Sequence, residues 1–204
     1  LATAAAAQDE STTTLISGAR IFDGVSDKLI EGRDVLVENG KIAKIGANLK
    51  APAGAKTIDA KGRVMTPGLM DMHAHLMLQL PFGVAFNADR EYWAYNATTI
   101  AEMYLMQGFT TVRELCGNTF SLKKAIDEGM LLGPRVYPSG PMISQTSGHS
   151  DHRTDAQAPA TLKFEPSTPM KYFHVAVADG RPEVLRTVRE VLRRRASQIK
   201  ISVG

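Results

Sequence analysis

The chain has 204 residues, of which 44% are apolar and 22% charged, with a single cysteine. This is the composition of a globular protein, and it argues against a disordered chain, a collagen or a disulfide scaffold. No apolar run approaches the roughly 20 residues that cross a bilayer, and a net charge of +3 is too small to indicate nucleic-acid binding. We therefore expect neither a membrane nor a nucleic acid as a partner.

The two ends of the chain are unusual. Residues 1–13 begin with an alanine-rich run, which is typical of the cleavage end of a secretory signal peptide. We expect either a leader remnant, and with it a secreted or periplasmic protein, or a disordered tail, which leaves a cytoplasmic location open. At the other end a β-rich run stops abruptly at Gly204, so we expect the sequence to end inside a longer domain.

Residues 14–66 alternate short strand patterns with turn signals. The strongest signal is Asn39-Gly40, which lies between two runs of alternating apolar residues. It predicts a two-residue hairpin turn, because both of its positions need a positive φ. We expect a small β subdomain made of local hairpins over this range.

From residue 67 onwards, strand and helix patterns alternate. Helices are predicted over residues 89–107, 121–129 and 182–195, with Ser121 as the N-cap of the second. Strand patterns occupy residues 63–75, 108–113, 135–140 and 198–203, and a long polar segment over 144–170 indicates a functional loop. This alternation is typical of βα units around a parallel sheet, which makes the fold class α/β. Four units fit half of a (β/α)₈ barrel or a small open sheet.

The residues with the clearest chemistry are His73 and His75. Side chains two apart on a strand point to the same face, so the two imidazoles can share one metal ion such as zinc. They lie at the C-terminal end of a predicted parallel strand, which is where barrel active sites are built. Asp71 points the same way and is assigned the role of orienting an imidazole by a hydrogen bond. The alternatives are a chance His-x-His pair and a carboxylate that caps the strand end.

The same segment carries a family resemblance. Residues 58–75, Ile-Asp-Ala-Lys-Gly-Arg-Val-Met-Thr-Pro-Gly-Leu-Met-Asp-Met-His-Ala-His, resemble the opening of a metal-dependent amidohydrolase. Residues 108–114 and 133–140 resemble the second and third barrel strands of that superfamily. The resemblance covers nearly the whole chain from residue 14. It is to the imidazolonepropionase-like and prolidase-like branch, which includes ochratoxin A hydrolases.

This resemblance implies a (β/α)₈ TIM barrel with a small β-sandwich subdomain. Residues 14–66 would be the N-terminal part of the sandwich, and residues 67–204 the first half of the barrel. It also implies two divalent metal ions, with zinc as the expected metal. His73 and His75 would bind the first ion, and Lys200 would carry a CO₂-derived carbamate that bridges both ions in catalysis. From the sequence alone, Lys200 could equally be an edge residue with a solvated amine.

A second polar cluster lies in the loop after the third barrel strand. Residues 144–153, Ser-Gln-Thr-Ser-Gly-His-Ser-Asp-His-Arg, resemble a Gly-His-Gly-Asp stretch of the same branch, with Ser150 in place of the second glycine. We assign His149 to catalysis and substrate binding, and Asp151 and Arg153 to substrate binding, since a guanidinium can bind a carboxylate through two parallel N–H groups. The alternative is a solvated polar loop in which Asp151 fixes a turn.

The function implied is hydrolysis of an amide bond in a small carboxylate-bearing substrate, such as an N-acyl amino acid, a dipeptide or ochratoxin A. Lactone or phosphotriester hydrolysis on the same metal site, and a non-catalytic scaffold with this fold, are the alternatives. The family's other metal ligands and its general base belong to later strands. We therefore expect the missing half of the barrel, from the same or a second chain, as a partner, and a homo-oligomer. Relatives usually have glycine where Arg195 stands, so the local turn is expected to differ.

Overall fold

The structure is a computed structural model that describes residues 13–162 and 165–203. The leader remnant or tail expected at residues 1–13 lies outside the described residues, apart from Thr13. The chain divides into two compact units, Leu1–Pro67 and Gly68–Gly204. Among the helices that are described, none has both the length and the apolar character needed to span a bilayer.

The first unit contains a five-stranded sheet. Its strands are β1 (Thr13–Ile21), β2 (Ile30–Glu38), β3 (Lys41–Gly46), β4 (Lys56–Asp59) and β5 (Val64–Met65). β1, β2 and β3 pair as antiparallel hairpins, and the predicted turn is confirmed, with φ angles of 51° at Asn39 and 71° at Gly40. The expectation of local hairpins is wrong for β4 and β5, because both pair in parallel with β1. Parallel pairing brings together segments that are distant in sequence, which no local turn signal reveals.

The second unit contains two small parallel sheets. Their strands are β6 (Leu69–Ala74), β7 (Phe109–Glu114), β8 (Arg135–Pro138), β9 (Met142–Ser144), β10 (Val175–Val177) and β11 (Lys200–Ile201). One sheet has the order β6-β7-β8 and the other β10-β9-β11, and all their pairings are parallel. Together with the intervening helices, these sheets confirm the α/β class. β10 was not predicted, because three residues between a polar segment and a helix carry too little periodicity.

The described residues of the second unit contain five α-helices. They are α1 (Phe82–Ala85), α2 (Arg90–Met106), α3 (Phe120–Asp127), α4 (Thr168–Lys171) and α5 (Gly180–Arg193). The three predicted helices correspond to α2, α3 and α5. The residue at the N-cap of α3 is Thr119, without a side-chain capping bond, so the assignment of Ser121 as the cap was wrong. The long polar segment is not entirely a loop. It contains a short 3₁₀ helix (Ala160–Leu162) and the first residues of α4.

The core of the second unit holds α2 against the first three parallel strands. Asp89 caps the start of α2, and its carboxylate accepts a hydrogen bond of 2.7 Å from the Tyr92 N–H. Further along α2, Trp93 and two alanines are buried in one cluster with Val112 of β7 and Val136 of β8. The small alanines let the helix approach the sheet closely. This packing holds in place the strands whose carboxyl ends carry the site.

The turn after α5 contains a residue in an unfavourable backbone conformation. Arg195 is exposed and has a φ of 65°, which costs a side chain with a Cβ about 1 kcal/mol or more. Arg195→Gly should therefore stabilise the protein by about 0.5–1 kcal/mol, after allowance for the extra freedom of glycine in the unfolded chain. The midpoint of urea unfolding measures the change.

The matched control is Arg189→Gly, an exposed arginine inside α5. Glycine in a helix interior costs about 1 kcal/mol, so the two arginine-to-glycine changes should move the midpoint in opposite directions. A loss of stability in Arg195→Gly would contradict the backbone argument.

Candidate active site

The two histidines lie side by side where β6 ends. His73 is in β6 and His75 follows Ala74, its last residue, so their side chains are on the same face. The ring centroids are 5.1 Å apart, with the ring planes at 64°. The Nδ1 atom of His75 is buried and has no hydrogen-bond partner. An unpartnered buried nitrogen beside a second imidazole is the arrangement that a shared metal ion would satisfy.

The electrostatic surroundings favour the neutral form of His75. Burial lowers the pKa of His75, and electrostatic interactions with His73 and Lys200 lower it further, while Asp71 acts in the opposite direction. A metal ion binds only the neutral form of imidazole. The surroundings therefore favour the protonation state that a metal ligand requires.

A cavity of about 550 Å³ joins these histidines to the other predicted residues. It is lined by His73, His75, Leu78, Leu80, Phe82, Ala85, Phe86, Trp93, Cys116, Met142, His149, His152, Pro169, Lys200 and Ser202. Several of these residues lie at or after the carboxyl ends of parallel strands, which is where α/β proteins place their ligands. The structure thus brings His73, His75, His149 and Lys200 to one cavity.

Lys200 reaches the cavity from β11. This strand pairs in parallel with β9, with Lys200 opposite Met142, and both of these residues line the cavity. The lysine is half-buried, and its positive charge contributes to the lowered pKa of His75. Lys200 therefore lies close enough to the imidazole pair to belong to the same site.

Asp71 contacts the backbone at the same strand end. Its Oδ1 atom accepts a hydrogen bond of 2.8 Å from the backbone N–H of His73. Burial raises the pKa of Tyr104, and the charge of Asp71 and a hydrogen bond to it raise that pKa further. Asp71 thus links the backbone that carries the His73 ring to a tyrosine of α2.

The predicted site residues of the loop after β9 fall into two groups, according to whether they line the cavity. His149 lines the cavity, whereas Asp151 and Arg153 are not among the lining residues. Arg153 donates from Nε and Nη2 to the two oxygens of Asp151, at 2.7 and 2.8 Å, and from Nη1 to the Gln157 carbonyl, at 3.0 Å. The Arg153 hydrogen bond lowers the pKa of Asp151. Both charges thus hold the loop together, and the guanidinium that was assigned to a substrate carboxylate already binds one.

The comparison with protein families decides what kind of protein carries this site. The amidohydrolase family model matches residues 64–202, which includes His73, His75, His149 and Lys200. The chain belongs to the amidohydrolase family. Members of this family are hydrolases that act on amide bonds, and they generally use divalent metals.

Three relatives show which amidohydrolases are similar to this one. Ochratoxinase from Aspergillus niger is 28% identical over 217 residues, which cover 96% of this chain and 43% of that protein. A prolidase solved in complex with N-methylphosphonate-L-proline is 30% identical, with a TM-score of 0.80, over 93% of this chain and 46% of that one. A Xaa-Pro dipeptidase with methionine bound in its active site is 30% identical, with a TM-score of 0.73, over 93% and 47%. This chain therefore spans less than half the length of these relatives.

The sequence did not predict that this amidohydrolase has a buried carboxyl group next to the histidine pair. Glu114 is fully buried at the end of β7 and accepts hydrogen bonds from the backbone N–H groups of Leu76 and Met77, at 2.6 and 3.5 Å. Burial raises its pKa to about 8, although these N–H donors act in the opposite direction. Glu114 thus fixes the backbone directly after His75. The signal in the sequence that could have indicated this role was a charged residue at the carboxyl end of a buried strand.

His73 and His75 are two residues that could hold a metal ion. In residues 13–162 and 165–203, no three His, Cys, Asp or Glu side chains form a group able to hold a metal ion. The two imidazoles supply the borderline nitrogen donors that zinc and related ions prefer, and the unpartnered Nδ1 of His75 fits that role. The residues of this amidohydrolase therefore fit a metal site to which further ligands must be added.

Proposed function

We propose that this chain is part of a metal-dependent hydrolase that cleaves an amide bond in a small substrate. The observation that carries the proposal is the His73–His75 pair, with its unpartnered buried nitrogen, in a cavity that Lys200 also lines. A solvated surface pair would leave no imidazole nitrogen buried and unpaired. A scaffold with this fold would have no need of that arrangement.

His73 and His75 would hold one of two divalent ions, with zinc as the expected metal. Lys200, carrying a CO₂-derived carbamate, would supply oxygen ligands to both. When bound, such ions polarise a substrate carbonyl and lower the pKa of water, so that a hydroxide nucleophile is available near neutral pH. The remaining ligands and the general base would come from the other half of a (β/α)₈ barrel, of which residues 67–204 would be the first half. Its source would be the same or a second chain.

The substrate we propose is a small amide with a free carboxylate, such as an N-acyl amino acid, a dipeptide or ochratoxin A. Support comes from the similarity to ochratoxinase and to the prolidase solved with a proline phosphonate. His149 is exposed and lines the cavity, so it can donate a hydrogen bond to a carbonyl or carboxylate oxygen there. Arg153 is engaged by Asp151, and we assign it to holding this loop in place.

A substrate panel tests the proposal. Full-length enzyme loaded with zinc should hydrolyse members of a set of N-acyl amino acids, Xaa-Pro dipeptides and ochratoxin A, and should contain about one to two metal ions per complete site. The same preparation is assayed with lactones and phosphotriesters. Turnover confined to those two classes would overturn the amide assignment, and absence of both metal and turnover would favour a scaffold.

A further inference from the structure

The cavity lining combines polar and apolar side chains. His73, His75 and Lys200 are the polar residues that the proposed function assigns to metal binding. The rest of the lining is largely apolar and includes Phe82 and Phe86. A volume of about 550 Å³ is within the range of pockets that enclose drug-sized ligands. There is therefore room for a bulky substrate group beside the reacting bond.

Phe82 is not part of the hydrophobic core in the part of the chain that the structure describes. Its side chain is 70% exposed, and it is absent from the described clusters that form the core. Its ring instead stacks on Phe86 of the same helical segment, with centroids 6.1 Å apart and the planes at 19°. Exposing a phenylalanine to water at the edge of a cavity is unfavourable by itself. A ligand that covers the ring would remove its apolar surface from water, which favours binding.

The aromatic side chains form a corner. His152 lies edge-on to Phe82, with centroids 6.1 Å apart and the planes at 90°, and both rings line the cavity. Aromatic rings prefer offset stacking or perpendicular contacts at centroid distances of about 4.5–7 Å. A third ring in this corner can stack on one of these rings and meet the other with its edge. An aliphatic group of the same size gains the apolar contact without this geometry.

The backbone segment that carries Phe82 and Phe86 is held in place by hydrogen bonds and by packing. The Thr168 hydroxyl of α4 donates a hydrogen bond of 2.9 Å to the Phe86 carbonyl. Within the segment, the Asn87 side chain donates to the Gly83 carbonyl, also at 2.9 Å, and Ala85 is buried against the core. A preformed surface loses little conformational freedom on binding, which favours affinity.

We propose that Phe82, Phe86 and His152 bind an aromatic group of the substrate, and that the enzyme therefore prefers amides with an aromatic ring next to the scissile bond. This inference rests on the proposed function, and it adds a substrate class to it. Phe82 and Phe86 are binding residues that determine specificity and take no part in bond cleavage.

Two matched pairs of substrates test the preference with zinc-loaded full-length enzyme. N-acetyl-L-phenylalanine is compared with N-acetyl-L-cyclohexylalanine, and N-benzoyl-L-alanine with N-cyclohexanecarbonyl-L-alanine, so that only aromaticity differs. In at least one pair the aromatic member should have the higher kcat/KM. Phe82→Leu keeps an apolar side chain without the ring and should lower that preference by about 3- to 10-fold, chiefly through KM.

Tyr95→Leu is the matched control. Tyr95 is 69% exposed on α2 and does not line the cavity, so this change should leave the ratio as it is. Equal kcat/KM values within both pairs, or a ratio that Phe82→Leu leaves unaltered, would overturn the inference while amide hydrolysis stands.

A binding measurement separates this inference from the proposed function. Trp93 is the only tryptophan of the 204 residues and lines the same cavity, so its fluorescence can follow binding of N-benzoyl-L-alanine, with Trp93→Phe as the blank. If no amide is hydrolysed but the benzoyl compound binds more tightly than its cyclohexyl analogue, and Phe82→Leu removes the difference, the proposed function fails and the aromatic site stands. Equal binding of both compounds would count against the aromatic site.

Discussion

Replacing His75 with alanine is expected to remove metal from the full-length enzyme and to lower kcat by at least about 1,000-fold. The expectation follows from the unpartnered buried Nδ1 of His75 and from the His73 ring 5.1 Å away. A site that loses one of a few ligands binds its metal far more weakly, and hydrolysis that depends on metal-activated water is then lost. His73→Ala should have the same effect. Metal analysis by mass spectrometry after dialysis, together with amide turnover, measures both quantities.

His149→Ala is the control for this experiment. His149 lines the same cavity but comes from the exposed loop after β9, and we assign it to substrate contact. Its replacement should weaken turnover while the metal content stays at the wild-type value. Circular dichroism of all three variants shows whether they remain folded. Wild-type metal content in a folded His75→Ala protein would rule out His75 as a ligand.

Replacing Glu114 with glutamine is expected to change how stability depends on pH. The pKa of Glu114 is raised from 4.5 to about 8, mainly by burial. Between those values the folded protein holds a proton that the unfolded chain has released. The stabilising contribution is thus complete below pH 4.5 and is lost as the pH rises through 8. At about 1.4 kcal/mol for each pKa unit, the total loss is on the order of 5 kcal/mol.

Glu114→Gln should remove this part of the pH dependence. Its amide is neutral at every pH, and its carbonyl oxygen can still accept the hydrogen bond that the Leu76 N–H donates at 2.6 Å in the wild type. The variant should therefore gain stability over the wild type as the pH is raised from 5 to 8.5. Free energies of unfolding in urea at several pH values give the difference curve, which cancels the contributions of other groups.

The control for Glu114 is Glu102→Gln, which changes an exposed glutamate on α2. An exposed surface charge contributes little to stability, so this variant should follow the wild-type curve closely. If Glu114→Gln also runs parallel to the wild type, the carboxyl group is ionised in the fold across this pH range, and the argument from burial fails.

Features that depend only on neighbouring residues could be predicted from the amino-acid sequence. The Asn39-Gly40 turn follows from two positions that both adopt a positive φ. The start of α2 follows from the capping carboxylate of Asp89, and the helical periodicity of α5 from its apolar face. The shared face of His73 and His75 is also local, because alternation along a strand needs no partner.

The contacts between segments that are distant in sequence became visible in the three-dimensional fold. β4 and β5 pair in parallel with β1, although their short patterns fit hairpins equally well. The sequence does not show which carboxylate Arg153 binds. In the structure, the loop places Asp151 against it, and the two form an ion pair. Pairings of this kind depend on loop closure and on packing, which leave no trace in the spacing of residues.

The same distinction applies to the site. The histidine pair and Lys200 could be proposed from the strand pattern and the family resemblance. The burial of Glu114 and the aromatic corner of Phe82, Phe86 and His152 could not be predicted from the sequence. The environment of a side chain is set by what surrounds it in space. Burial is the main cause of the Glu114 pKa of about 8, and the corner joins a short helix to a loop some 65 residues further along the chain.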